Sequence, residues 1–268
     1  MVSILALAIV LTAPHATAQI EIVDSITVNF STFQGSGFTP TPAAGQLNSD
    51  DWAITGFSTG DLAFGGTATS GDYARGASAG GESLGGIYAF DVGGSSNNAL
   101  GVQASSTDFT PGTITLRIRN VSGATLDQIH VAYEVHEYND GDGSTSVTFS
   151  HSDDDLAYTA VPSLDTTTTG ATGVAGWSGA APKSTTISSA NVPDLGFFYL
   201  RWSSDDVVVA GGRDEIALDN IEITVTTLGT PVPLLGSRAT TLLILALIAT
   251  GVLAWAPFAT FRYPSAPE

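Results

Sequence analysis

Cysteine is absent from the 268 residues, and lysine occurs once, at Lys183. Without cysteine there are no disulfide bonds and no thiolate metal sites, so the burial of apolar side chains must stabilise the fold. Basic residues are also few, with 8 Lys and Arg against 26 Asp and Glu, and the formal net charge is −18. This excess of acid argues against binding to nucleic acid or to anionic lipid surfaces, because both require a basic footprint.

Long hydrophobic runs are scarce as well, and the first stands at the N-terminus. It begins directly after Met1 and ends near Pro14, which is too short to span a bilayer. Ala16-Thr17-Ala18 follows as a small-x-small triplet, so residues 1–18 are predicted to be a signal peptide. No Lys or Arg precedes the run. Either the terminal amine alone supplies the positive charge, or the true start codon lies upstream.

The second run, residues 242–261, is uncharged and long enough to form a transmembrane helix of about 30 Å. It follows a linker at residues 229–241, and residues 262–268 are predicted to be a cytoplasmic tail. The linker contains Val232-Pro233-Leu234-Leu235-Gly236. This end resembles the sorting signals of exported bacterial proteins of the PEP-CTERM kind, although it has no Pro-Glu-Pro triplet and only one Arg in its tail. The resemblance implies a sorting protease as partner and release after removal of the helix; permanent anchoring at the cell surface is the alternative.

Helical periodicity is missing from residues 19–228, where short apolar-alternating segments are separated by Gly- and Asp-rich turns. Many short strands without helices predict an all-β fold, a two-sheet antiparallel sandwich of the jelly-roll type. Residues 162–190 are rich in Thr, Ser, Ala and Gly and are predicted to be a long surface excursion. The predicted strands are Ser25–Phe33, Asp51–Phe57, Asp61–Phe64, Gly86–Val92, Ala99–Ala104, Thr113–Val121, Leu126–Tyr138, Thr145–Ser150, Leu156–Val161, Phe197–Ser203 and Ile216–Val225.

A series of short segments across residues 49–223 resembles a β-sandwich domain of uncharacterised secreted bacterial proteins, which often carry a C-terminal sorting helix. The resemblance implies the sandwich fold and an exported location, but it brings no ligand and no catalytic residue. The segments that carry it are Ser49-Asp50-Asp51-Trp52, Gly85-Gly86-Ile87-Tyr88-Ala89-Phe90, Asn98-Ala99-Leu100-Gly101, Thr115-Leu116-Arg117-Ile118-Arg119-Asn120, Tyr199-Leu200-Arg201-Trp202 and Ala217-Leu218-Asp219-Asn220-Ile221.

Strand alternation predicts which side chains face outward. In Leu126–Tyr138 an apolar set that contains Tyr133 faces the core. The outward set is then His130, Glu134, His136 and Tyr138. Same-face neighbours on a strand are about 6.6 Å apart, so Glu134 and His136 are close enough to share a cation.

A similar alternation predicts a ligand-binding sheet face. If Trp202 faces the core, Tyr199 and Arg201 face outward. The predicted face combines Arg117, Arg119, Arg201, Tyr199 and Tyr138. Aromatic rings stack on sugars, and guanidinium groups donate hydrogen bonds to hydroxyls or carboxylates. The alternative is ordinary cross-strand pairing of Arg with Glu on a solvated face.

Calcium is the candidate cofactor. Asn139-Asp140-Gly141-Asp142-Gly143 partly imitates a calcium loop, but His151 stands where the twelfth-position Glu would be. Asp142-Gly143 is also typical of a hairpin turn. Asp219, in the last predicted strand, resembles the acid that holds a structural calcium in some carbohydrate-binding jelly rolls. The candidate metal ligands are therefore Asp140, Asp142 and Asp219.

Catalytic motifs are not recognisable. Residues 76–80, Gly-Ala-Ser-Ala-Gly, match the nucleophile-elbow pattern, but the Gly- and Ser-rich run after them cannot form the required helix. The predicted function is a non-catalytic, exported cell-surface domain that acts in adhesion, envelope or matrix and binds a glycan or a surface protein. Two alternatives stand beside it: a surface polysaccharide hydrolase with carboxylates on the sheet face, and a purely structural surface domain.

Overall fold

The computed structural model describes residues 19–94, 96–170, 174–208 and 211–229. The predicted signal peptide, the sorting motif at 232–236, the helix at 242–261 and the tail all lie outside the described residues. The described strands belong to one compact unit that ends at Leu228. No helix in this part of the chain has the length and apolarity that crossing a membrane requires.

Strands dominate the described chain, and two short 3-10 helices at Gly71–Tyr73 and Pro162–Leu164 interrupt them. The strands are β1 (Glu21–Ile22), β2 (Ser25–Val28), β3 (Phe38–Thr39), β4 (Leu47–Asn48), β5 (Trp52–Thr55), β6 (Ala77–Ser78), β7 (Gly86–Asp91), β8 (Asn98–Gln103), β9 (Gly112–Asn120), β10 (Leu126–Tyr138), β11 (Ser144–Ser152), β12 (Thr159–Ala160), β13 (Thr166–Thr167), β14 (Ala181–Val192), β15 (Phe197–Val208) and β16 (Glu215–Thr227).

Two main sheets form the sandwich. The first has the order β1-β9-β15-β11-β12, with β5 on β9 and β13 on β11. The second has the order β14-β10-β16-β8-β7-β6, with β2 on β16, and β3 pairs with β4 separately. The prediction of an all-β, two-sheet sandwich is confirmed. The long strands pair antiparallel, whereas the short pairs β1–β9, β6–β7 and β3–β4 are parallel.

The core lies between the two sheets and draws on the inward side chains of both. Tyr133 of the second sheet meets Trp202 and Phe149 of the first, with ring centroids 5.4 Å and 5.6 Å apart. The predicted inward sets of β10 and β15 are confirmed, since Tyr133 and Trp202 are each 2% exposed. Alternating burial explains why the remaining side chains of these strands line the two outer faces.

The surface excursion predicted at residues 162–190 is wrong from Ala181 onward. Ala181–Val192 is the edge strand β14, paired with β10 from Leu126 to Val135. One edge of β14 pairs with β10 and the other faces solvent. The buried residues of this strand are Ile187 and Val192. A strand that pairs on one side and buries so little needs no apolar alternation, so its Ser- and Thr-rich sequence resembles a loop.

Two other local predictions are wrong. Asp142-Gly143 does not close a hairpin, because β10 and β11 lie in different sheets and this connection crosses between them. Asp61–Phe64 forms a single bridge between Leu62 and Ile54 rather than a strand. After β11 the chain turns back across residues 153–155, and β12 pairs antiparallel with β11.

Candidate functional site

Tyr199 and Arg201 of β15 lie on the outer face of the first sheet, beside Arg117 of β9. The two strands are antiparallel, and their register pairs Tyr199 with Arg117. Both side chains of β15 face outward because the residues that alternate with them, Leu200 and Trp202, are buried in the core. This part of the predicted face is therefore a continuous surface.

Arg117 is held between two rings. Its Cζ lies 4.3 Å from the centroid of Phe64, which follows β5, and 4.8 Å from that of Phe197 on β15. Its Nη2 and Nε donate hydrogen bonds of 2.6 Å and 3.1 Å to the carbonyl of Asp50. Tyr199 completes the row, with ring centroids 6.0 Å from Phe64 and 6.5 Å from Phe197.

Arg201 is fixed in a similar way by the loop after β11. Its Cζ lies 3.5 Å from the ring centroid of Tyr158. It donates hydrogen bonds of 2.9 Å to Thr115 Oγ1 and 3.1 Å to Asp155 Oδ1. The Tyr158 hydroxyl is also hydrogen-bonded to Asp155, and burial raises the pKa of Tyr158. The ring of Tyr158 and the carboxylate of Asp155 on the loop thus form one connected group with the guanidinium of Arg201 on β15.

Arg119 behaves as the alternative interpretation predicts. It lies opposite Glu21 of β1 in the sheet register, and its Nη1 is 3.4 Å from Glu21 Oε1. Cross-strand pairing on a solvated face therefore describes Arg119. It does not describe Arg117 or Arg201, which are held by rings and by loop oxygens. We define the aromatic–arginine face as the set Phe64, Arg117, Tyr158, Phe197, Tyr199 and Arg201.

A cleft of about 170 Å³ opens at one end of the aromatic–arginine face. Tyr199 lines it together with His151 and Asp153 on one side and Ser189 on the other. Burial lowers the pKa of His151, although the charge of Asp153 opposes this shift. His151 is therefore a neutral donor or acceptor at neutral pH, which suits contact with uncharged polar ligands.

The single predicted face is wrong for Tyr138, because β10 belongs to the second sheet and its outward side chains lie on the opposite outer face. Tyr138 packs edge-on against Trp177, with centroids 5.3 Å apart, and Trp177 contacts Phe90 at 4.9 Å. Trp177 Nε1 donates a 2.9 Å hydrogen bond to the carbonyl of Ala79. These rings join the chain around residue 177 to the sheet, so they are structural contacts.

Glu134, His136 and Asp219 meet on the outer face of the second sheet. One potential ligand atom from each lies within 4.8 Å of the others. The predicted proximity of Glu134 and His136 is present, with 3.8 Å between Glu134 Oε2 and His136 Nε2. His136 lies on the outer face as predicted but is buried there, at 5% exposure. His130 is exposed farther along β10, 3.1 Å from Thr186 Oγ1.

Asp140 and Asp142 do not join Asp219. They follow β10 and line an open cavity of about 480 Å³ on the side of Glu82 and Arg213. The neighbouring Glu215 is fully buried, and burial raises its pKa to about 7. The charge of Asp140 raises this pKa further, while a hydrogen bond from the Glu82 N–H lowers it. This region is thus a cluster of acidic side chains in which Glu215 stays protonated to a higher pH than an exposed glutamate does.

Sequence reasoning missed several residues of these sites. Phe197 could have been found, because it has the same parity as Tyr199 on one strand. Phe64 and Tyr158 lie on connections between strands, and no alternation pattern predicts where they fold back. The contact of Asp219 with Glu134 depends on a register between distant strands, which the amino-acid pattern does not encode locally.

No protein-family model and no curated protein matches the chain. Solved structures similar to it include the CBM22-1 xylan-binding domain of Paenibacillus barcinonensis Xyn10C, at 9% identity and a TM-score of 0.37, covering 80% of this chain and 100% of that one. TmCBM61 in complex with β-1,4-galactotriose has 15% identity and a TM-score of 0.30, with 48% and 72% covered.

A third similar structure is the enzymatically active domain of bacteriophage CBA120 tailspike protein 4, at 9% identity and a TM-score of 0.32. The match covers 67% of this chain but only 20% of the tailspike chain. At such identities and scores, no ligand and no activity transfers from these three proteins.

Proposed function

We propose that the chain is a non-catalytic, exported domain of the jelly-roll type that binds a neutral glycan on the aromatic–arginine face. The observation that carries the proposal is the position of Tyr199 on the outer face of the first sheet, opposite Arg117 in the register and next to Arg201 on the same face of β15. Rings and guanidinium groups at one surface offer both stacking and hydrogen-bond donors. Sugar rings have apolar faces and hydroxyl edges that match these two kinds of contact.

Pre-organisation supports the proposal. Arg117 and Arg201 are already held by Asp50 and Asp155, so a ligand does not have to immobilise them. Association loses free energy for every flexible side chain that it orders, about 0.5–1.5 kcal/mol each. The cleft beside Tyr199 adds a boundary at which one sugar unit of a longer chain can be seated.

Charge defines the ligand class. The net charge of −18 disfavours acidic polysaccharides and nucleic acid. The charge of Arg201 is offset by the Asp155 carboxylate, and Arg117 already donates to the carbonyl of Asp50, so both have less to offer a polyanion. Neutral polysaccharides avoid this repulsion, so they are the ligands to test first.

Export places this domain where such ligands occur. The predicted signal peptide at 1–18 sends the chain out, and the helix at 242–261 holds it at the cell surface or is removed by a sorting protease. Adhesion, envelope or matrix roles follow from surface location and glycan contact together. Both end segments remain predictions from the sequence.

The test is a binding screen of the purified full chain, kept in a non-glycosidic detergent, against neutral plant and bacterial polysaccharides. We expect saturable binding that Tyr199→Ala weakens strongly and that Tyr138→Ala, on the opposite face, preserves. Melting temperatures of both variants control for folding. Release of reducing ends from a bound polysaccharide, lost in Glu134→Gln, would show a hydrolase instead. Binding to none of the polysaccharides would favour the purely structural role.

A further inference from the structure

The cluster of Glu134, His136 and Asp219 lies on the sheet opposite the aromatic–arginine face. Glu134 and His136 are two residues apart on β10, and Asp219 of β16 is directly opposite Glu134 in the antiparallel register. The cluster therefore joins two neighbouring strands of the second sheet through side chains as well as through backbone hydrogen bonds.

A β-bulge shapes this junction. Ala132 pairs with Glu222 and Glu134 with Asp219, so β16 contributes one more residue than β10 between these pairs. Asn220 lies in this longer stretch of β16 and adopts a left-handed backbone conformation, with φ of 49°. Bulges of this kind re-aim side chains at functional sites.

His136 supplies an independent observation. It is 5% exposed, and neither of its ring nitrogens has a hydrogen-bond partner among the described residues. Buried polar groups almost always have a partner, and an imidazole with two unpaired nitrogens is a costly exception. One of these nitrogens, Nε2, lies 3.8 Å from Glu134 Oε2, so the ring is aimed at the carboxylates.

The carboxylates are oriented by amide donors. Asn220 donates 2.8 Å hydrogen bonds from its backbone N–H to Asp219 Oδ1 and from its side-chain amide to Glu134 Oε2. Asn97 Nδ2 donates a 3.2 Å hydrogen bond to Asp219 Oδ2. Among the described residues, no Lys or Arg forms an ion pair with Glu134 or Asp219. The site therefore has oriented anionic ligands without a protein cation beside them.

We infer that Glu134, His136 and Asp219 bind a zinc ion. One imidazole and two carboxylates form a borderline ligand set that suits Zn²⁺, with bonds of about 2.0–2.2 Å. A tetrahedral site with such bonds separates its ligand atoms by about 3.4 Å. The potential ligand atoms lie within 4.8 Å of one another, so small side-chain rotations close the site around the ion.

This donor set disfavours calcium, the metal expected for Asp219 from its sequence. Calcium takes six to eight oxygen ligands, and imidazole is not among them. Three protein ligands leave a fourth zinc position. The side chain of Glu134 is 33% exposed, so this position opens toward solvent and can accept water or a donor atom of another molecule.

The test uses the full chain, stripped with a chelator and titrated with Zn²⁺ alone in a calorimeter. We expect one Zn²⁺ per chain and a higher melting temperature when it is bound. Glu134→Gln is nearly isosteric, so it should fold and weaken binding on the order of 100-fold. His136→Gln should do the same. His130→Gln, on an exposed residue of the same strand and face, is the matched control and should bind like the parent.

Co²⁺ provides a second readout that is independent of stability. The parent and His130→Gln should develop the intense visible bands of a four-coordinate site, and Glu134→Gln should not. A folded parent that binds no Zn²⁺ would overturn the inference. Equal Zn²⁺ affinity in the parent, Glu134→Gln and His136→Gln would overturn it as well, because the ion would then be held elsewhere.

Discussion

Asn220 donates a 2.8 Å hydrogen bond from its side-chain amide to Glu134 Oε2, at the bulge in the pairing of β16 with β10. Its backbone N–H simultaneously holds Asp219. One residue thus fixes two of the three proposed zinc ligands, and it does so from a left-handed conformation that Asn tolerates better than most residues.

Replacing Asn220 should therefore weaken zinc binding without removing a ligand. Asn220→Gly keeps the left-handed backbone and removes the amide that orients Glu134, so we expect Zn²⁺ affinity to fall about 10- to 100-fold. Asn220→Ala should show the same loss and an additional destabilisation of about 1 kcal/mol from the strained backbone. Calorimetric titration and thermal unfolding separate these two effects. Unchanged affinity in Asn220→Gly would mean that Glu134 needs no such orientation.

Arg117 and Arg119 form a natural pair for testing what holds the aromatic–arginine face. Arg117→Ala removes a guanidinium from between Phe64 and Phe197 and leaves the Asp50 carbonyl without its donors, so we expect a loss of about 1–3 kcal/mol. Arg119→Ala breaks only an exposed pair with Glu21 and should change stability by less than about 1 kcal/mol.

Urea unfolding of the two arginine variants measures the difference. Equal losses would contradict the account, because they would show that packing between the rings adds nothing to Arg117. A loss confined to Arg119→Ala would contradict it more strongly.

The long strands could be predicted from the sequence because their burial alternates. The sequence predicts a strand at Leu126–Tyr138, which are the bounds of β10, and its inward residues are those of the core. β14 could not be predicted, since an edge strand that buries only Ile187 and Val192 carries no apolar period. A local sequence pattern reflects local burial, and an edge strand that buries few side chains shows no apolar pattern.

Local sequence patterns are also insufficient to predict the sites, because these combine residues of distant strands. The alternation of side chains along one strand predicts that Glu134 and His136 are neighbours. The arrival of Asp219 depends on which strands are neighbours and on a bulge at Asn220, and both are set by the whole fold. Tyr138 and Tyr199 likewise lie on opposite outer faces because β10 and β15 belong to different sheets. The alternation of side chains along a strand does not show to which sheet that strand belongs.

The free energy of unfolding should fall as the pH rises through the range in which the Glu215 carboxyl group ionises. Its pKa is about 7 in the folded chain against a reference value of 4.5, so the folded state binds a proton that the unfolded state releases. The contribution of Glu215 is fully present below about pH 4.5 and is lost as pH rises from there through about 7, a total of about 3 kcal/mol. Asp51, whose pKa is raised to about 6 by burial, acts in the same direction.

Melting temperatures of the parent and of Glu215→Gln between pH 5 and pH 8 test this expectation. The parent should be less stable at pH 8, and the variant should show a smaller decline because its amide does not ionise. A parent whose melting temperature rises over this range, or a variant with the same slope as the parent, would contradict the assignment of the effect to Glu215.

Glycan binding at the aromatic–arginine face is tested by the affinity of the full chain for a neutral oligosaccharide, compared between the parent and Tyr199→Ala. Tyr199 lies opposite Arg117 and next to Arg201 on the same face, so its loss removes a stacking surface from the centre of the face. A loss of about 1–3 kcal/mol of binding free energy corresponds to roughly a 5- to 150-fold weaker binding. We predict this weakening in a variant that is still folded at the assay temperature, with Tyr138→Ala retaining the parent affinity. Equal affinity in the parent and Tyr199→Ala, or a loss in Tyr138→Ala alone, would contradict glycan binding at this face.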